Sequence, residues 1–236
     1  MAATDRDSKN HERKKMTTPS YIPTKDIEKH AIDLIRSFEK ESGGPIRPPV
    51  PVFEIIEFLG YDLDFRSDGF YQDPNNLGGL HIDENLVVIN ERLSDQEGRM
   101  NFTAAHEVGH IQLHVPGLLK DRSRSTIMCR NIDENTHSIR DPKEWEADMF
   151  AACLLMPSKE VRSSFFRLRK KLVDLSKKRF IDLLRKPKTK RQKGTGIANK
   201  IIKLGHFENV SKLAMLNRLI GLGLVRGLSY QKVIGV

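Results

Sequence analysis

The chain is poor in cysteine and in long apolar runs, and each shortage narrows what it can be. Two cysteines, Cys129 and Cys153, among 236 residues cannot build a disulfide framework. Neither has a second cysteine at metal-site spacing, so both read as free thiols of a reducing compartment. The longest apolar runs, such as Met149 to Met156, are far too short to cross a bilayer. The first twenty residues are polar and charged, have no apolar core and do not read as a secretory signal. A soluble cytoplasmic protein with no membrane partner is the expectation.

Charge of one sign is abundant only locally. The net charge is +9, yet residues 158–193 hold fifteen Lys or Arg against three Asp or Glu, a local net of +12, so the rest of the chain sums to −3. Hydrophobic residues make up 38% and charged residues 30%, the polar end of a globular composition. The length suits one sizeable domain, or one with an appendage.

Residues 1–20 read as a tail. Apolar residues at Ile27, Ala31, Leu34, Ile35 and Phe38 mark one face of a helix ended by Gly43-Gly44-Pro45. A short helix, Val52 to Leu59, is closed by Gly60. Tyr61, Leu63 and Phe65 alternate with acidic residues as in a half-buried strand. A loop from Ser67 to Gly79 follows. Leu80 to Ile82 and Leu86 to Ile89 then form a hairpin about Asp83-Glu84-Asn85. Ser94-Asp95-Gln96-Glu97 is a capping-box pattern that predicts a helix running to His114, with Pro116-Gly117 ending it. Residues 118–140 read as a loop, Lys143 to Met156 as a helix, and Val210 to Val225 as a last amphipathic helix. The order predicts an α+β domain with a small antiparallel sheet over residues 21–157, then a basic linker and helical C-terminal region over 158–236.

Chemistry concentrates in His106-Glu107-Val108-Gly109-His110. Histidines four apart on a helix lie on one face, one turn apart, and together can hold a Zn²⁺ ion. Glu107 is turned by about 100° from His106 and leans over an open coordination position, where a carboxylate can take a proton from water that the metal acidifies. This is the H-E-x-x-H arrangement of metalloproteases. Gly109 disfavours the helix by about 1 kcal/mol relative to Ala, which a close backbone approach would explain.

A catalytic zinc needs a third protein ligand. In Glu144-Trp145-Glu146-Ala147-Asp148, Glu144 and Asp148 share a helix face while Glu146 points away. A Glu followed four residues later by Asp is the thermolysin-like pattern, in which the Asp accepts a hydrogen bond from a ligating His. Glu144 also fits as the third helical residue of a capping box begun by Asp141, and Glu146 as part of a solvated face. Glu144 is preferred as the ligand.

The stretch Asn101 to His110, followed by Glu144 to Pro157 and preceded by the strand Val87 to Asn90, resembles the ImmA/IrrE family of bacterial metallopeptidases. The resemblance covers roughly residues 24–157, and more weakly 210–225. It implies a compact zincin-like zinc endopeptidase with ligands His106, His110 and Glu144 and with Glu107 as base. It also implies a protein substrate, typically a helix-turn-helix repressor whose cleavage derepresses stress or mobile-element genes.

Other residues are less specific. His114 lies one turn further along the His106–His110 face and reads as a partly buried ring at the helix end. His81, His137 and Tyr71 are candidates for stabilising an oxyanion, though such residues are more often ordinary surface residues than catalytic ones. The strand Leu86 to Ile89 is expected to accept the substrate as an added strand. The segment 158–193 reads either as a solvated cationic arm or as a surface for DNA phosphates or an acidic partner. Its few aromatics, Phe165, Phe166 and Phe180, do not suggest base stacking. The competing reading is a non-enzymatic DNA- or protein-binding regulator with a structural metal site. Glu107 counts against it, because such a site has no use for that carboxylate.

Overall fold

The computed structural model of the chain describes residues 21–67, 76–121, 126–128, 141–176 and 189–230. The N-terminal tail, Tyr71, Cys129, His137 and parts of the long loop and of the basic segment lie outside these residues.

Helix α1, Thr24–Ser42, buries Ile27, Ala31 and Leu34, the face its periodicity marks. It ends where Gly43 takes a left-handed conformation (φ 77°) and donates its N–H to the Glu39 carbonyl, a geometry glycine adopts without strain. Helix α2, Val52–Phe58, buries Val52, Ile55 and Ile56, and leads into strand β1, Asp62–Arg66.

The hairpin forms as expected from β2, Gly78–His81, and β3, Leu86–Asn90, with Leu80 opposite Val87. Strand β4, Thr126–Met128, pairs antiparallel with β2. The sheet is not wholly antiparallel, however. Its order is β1-β3-β2-β4, and β1 lies parallel to β3, with Leu63 opposite Val87. The cause is in β3, where Val87, Val88 and Ile89 are all buried, so both faces are apolar and the strand belongs in the middle. The chain therefore returns through β2 and inserts β3 between β2 and β1. With both edges paired, β3 cannot accept an added substrate strand, and that expectation fails.

Helix α3, Glu97–Leu113, starts later than the capping pattern suggests. A 3-10 turn, Glu91–Leu93, precedes it, and Ser94 already has helical backbone angles (φ −52°, ψ −38°), not the extended geometry of a capping residue. Pro116 and Gly117 do not end α3 either. They lie in the first half of helix α4, Val115–Asp121, and Pro116 stands where its missing N–H has no helical partner to lose. Helix α5, Pro142–Leu155, is capped by Asp141, whose side chain accepts the Lys143 N–H at 2.9 Å.

The C-terminal region adds α6, Ser158–Leu168, α7, Lys190–Gly205, and α8, Lys212–Gly221, with a two-stranded parallel pair, β5 (Val173–Asp174) and β6 (Val225–Arg226). Val161, Phe165, Ile201, Met215 and Leu219 from these helices belong to the same core as α1, α3 and α5. Buried Arg218 fastens them there. Its guanidinium donates to the Met156 carbonyl at 3.0 Å and to Glu28 of α1 at 2.7 Å. The architecture is α+β, mostly helical with one small mixed sheet. Among the described residues no helix is long and apolar enough to cross a membrane.

Candidate metal centre

Helix α3 runs through the interior, and every residue from Thr103 to Ile111 is buried. Its histidines are therefore core side chains that need partners. The partners come from α5, which packs closely on α3. A Cβ on Gly109 would stand 2.9 Å from the Ala147 Cα and 3.2 Å from the Phe150 Cβ, so glycine here permits backbone-to-backbone approach. That approach carries Glu144, one turn before Ala147, to the histidines.

The Nε2 atoms of His106 and His110 lie 3.0 Å apart. Glu144 completes the cluster, with Oε2 at 3.3 Å from the His106 Nε2 and Oε1 at 3.3 Å from the His110 Nε2. One ligand atom from each of these three residues lies within 4.8 Å of the others, the spacing of a group able to hold a metal ion. Three electron-pair donors turned on one point are stable only with a proton or a cation between them. Two imidazoles and a carboxylate fit a divalent transition metal.

Electrostatics favour the ligand forms. Burial pushes the Glu144 carboxyl up, but whenever a ring carries a proton on Nε2 the hydrogen bonds and charge from His106 and His110 outweigh it and hold the group well below the usual carboxylate range. Burial pushes His110 down, favouring the neutral ring that a metal requires; the Glu144 contact opposes this without reversing it. The Nδ1 of His106 lies 2.9 Å from Asp148 Oδ1. Glu107 is completely buried beside these ligands on α3.

Two other residues stand differently from their sequence reading. Glu146 is not on a solvated face. It is 3% exposed, accepts the Ile22 N–H at 2.7 Å on Oε1, and lies 3.0 Å from His114 Nε2 through Oε2. The reason is that α5 is covered on two sides, by α3 and by α1 with the segment before it, where Tyr21 packs edge-on against Trp145. His114 is buried and its Nδ1 lies 2.9 Å from the His110 Nδ1. The sequence signal for this arrangement was the regular spacing of His106, His110 and His114. His81 lies on β2 and is buried, so it is not a surface residue.

The family model described as IrrE N-terminal-like domain, of peptidase class M78, matches residues 63–219, a span containing His106, Glu107, His110, Glu144 and Asp148. Comparison with curated proteins finds no match.

Proposed function

The chain belongs to the peptidase M78 family of IrrE N-terminal-like domains, and we propose that it is a zinc-dependent endopeptidase with ligands His106, His110 and Glu144 and with Glu107 as general base. The observation that carries this reading is the convergence of both Nε2 atoms on the Glu144 carboxylate. Two imidazoles and one carboxylate are the donors of catalytic zinc sites that keep a fourth position open. Zinc held there supplies Lewis-acid polarisation of a peptide carbonyl and acidifies water.

The chain's own residues do the rest. Glu107 takes a proton from the attacking water and passes it to the leaving amine nitrogen. Asp148 accepts the Nδ1–H of His106, which fixes the ring with its Nε2 lone pair toward the ligand cluster. The proposed ligands and base all fall within residues 21–157. The region 158–236 adds helices and a basic stretch suited to DNA phosphates or an acidic partner. We assign the substrate to the helix-turn-helix repressors, acted on in the cytoplasm in transcriptional stress responses. Support for that part is the resemblance of the motifs to ImmA/IrrE proteins.

The test is Glu107→Gln in the purified protein. Metal content should stay at the wild-type level while cleavage falls by roughly 10²–10⁴, the contribution of a positioned acid–base group. A fully active variant would refute the mechanism. Incubating the zinc-loaded protein with repressors encoded near it tests the substrate.

A further inference from the structure

A line of hydrogen-bonding contacts leads away from the ligand cluster to the start of α1. His110 Nδ1 lies 2.9 Å from His114 Nδ1, His114 Nε2 lies 3.0 Å from Glu146 Oε2, and Glu146 Oε1 accepts the Ile22 N–H at 2.7 Å. His110, His114 and Glu146 are 1%, 6% and 3% exposed, so water does not substitute for these partners.

The hydrogens along this line are fixed from one end. The Ile22 amide can only donate. The Glu146 carboxylate accepts it and accepts again from His114, so the His114 hydrogen sits on Nε2. On a neutral ring the His114 Nδ1 is then an acceptor, and the His110 Nδ1 carries the hydrogen that fills it. That leaves the His110 Nε2 with a free lone pair aimed at His106 and Glu144. We propose that His114 and Glu146 are positioning residues, which with the Ile22 amide hold His110 in its metal-binding tautomer. The inference rests on the reading of His110 as a ligand.

Glu146→Gln separates this role from simple packing because it keeps the shape. A glutamine cannot accept from both neighbours. If its oxygen faces Ile22, its NH₂ faces His114. His114 must then accept on Nε2 and donate from Nδ1, which forces the His110 hydrogen onto Nε2, the atom facing the cluster. If its oxygen faces His114, its NH₂ meets the Ile22 N–H, two donors head to head. Loss of such a partner to a metal-binding histidine costs 10–100-fold in affinity.

The experiment uses the full chain. Zinc affinity is measured by competition with a chromophoric chelator, and ring ¹⁵N shifts of His110 and His114 are read in the zinc-free protein. Glu146→Gln should bind zinc at least ten-fold more weakly and move the His110 hydrogen from Nδ1 to Nε2. Affinity within two-fold of wild type with unchanged ring shifts overturns the proposal. Should Glu146→Gln not fold, His114→Leu and His114→Gln decide. The glutamine can accept from His110 and donate to Glu146, so it should retain affinity that the leucine loses; equal effects of the two overturn the proposal. A wild-type chain that takes up no zinc defeats the ligand reading instead, and the ring shifts then still decide the tautomer.

Discussion

Gly109 and Ala147 meet through their backbones: a methyl group placed on Gly109 would stand 2.9 Å from the Ala147 Cα. The two nearest atoms, the Ala147 Cα and carbonyl oxygen, are backbone and cannot swing aside as a flexible side chain would. Gly109→Ala is therefore a test of whether the site depends on helix separation. On an exposed helix this change would stabilise by about 1 kcal/mol. Here it should destabilise by about 1–3 kcal/mol, as overpacking does, and weaken metal binding by drawing Glu144 from His106 and His110. Denaturant melts and metal titration of the same variant measure both effects. A more stable variant with normal metal affinity would show that α3 and α5 separate freely.

Metal should stabilise the fold. His110 and Glu144 are separated by 33 residues, so an ion bound to both clips α3 to α5 across a long connection. Binding to the native state alone adds about 2.7 kcal/mol when free zinc is 100 times its dissociation constant. For a chain of this length the melting temperature should drop by roughly 5–10 °C on chelation and recover on adding zinc. An unchanged melting temperature with metal demonstrably removed contradicts a ligand set drawn from both helices.

Acid should release the metal, and late. A histidine ligand must be neutral, so protonation competes with binding as pH falls. Burial pushes His110 down, so its ring stays neutral below the ordinary imidazole value of about 6.5. Glu144, held well below the usual carboxylate range, stays ionised throughout. Metal occupancy followed against pH should hold through 6.5 and fall only below it. A midpoint above 6.5 would mean that one of the two ligand rings, His106 or His110, is not neutral in the folded chain.

Arg218→Ala tests the clasp between the chain's two ends. It removes the donor to the Met156 carbonyl and leaves Glu28 without its cation. Hydrogen bonds to charged groups contribute about 1.5–3 kcal/mol, and Glu28 retains some solvent, so the loss should be about 2–3 kcal/mol in denaturant melts. A loss below 1 kcal/mol would show that the C-terminal helices hold to the core by apolar packing alone.

The metal cluster was legible in the sequence because helical periodicity alone puts His106 beside His110 and Glu144 on the face of Asp148. Gly109 was legible too, as a residue that helix propensity argues against. What escaped the sequence depends on tertiary placement. Whether Glu146 faces water depends on what α1 covers, and nothing near Glu146 in the chain carries that information. The parallel pairing of β1 follows from β3 being buried on both faces, which the local alternation in β1 cannot reveal. Helix α7 has its own signals, a capping box between Thr189 and Gln192 and apolar Ile197, Ile201 and Ile202, but the adjoining run of basic residues has the composition of a linker and masks them. Ser94 carries the right residue pattern and the wrong backbone, because the preceding turn had already begun to coil.

The enclosure of β3 also bears on how the protein tolerates crowding. Among the described residues it leaves β1 at one rim of the sheet, and a bare rim invites a neighbouring molecule to dock strand to strand. Asp62, Asp64 and Arg66 place a charge at every second residue of that strand, and the last two are joined in an ion pair at 2.6 Å. Any copy approaching along β1 would have to strip water from those charges, so this rim resists self-association even with Phe65 left exposed between them.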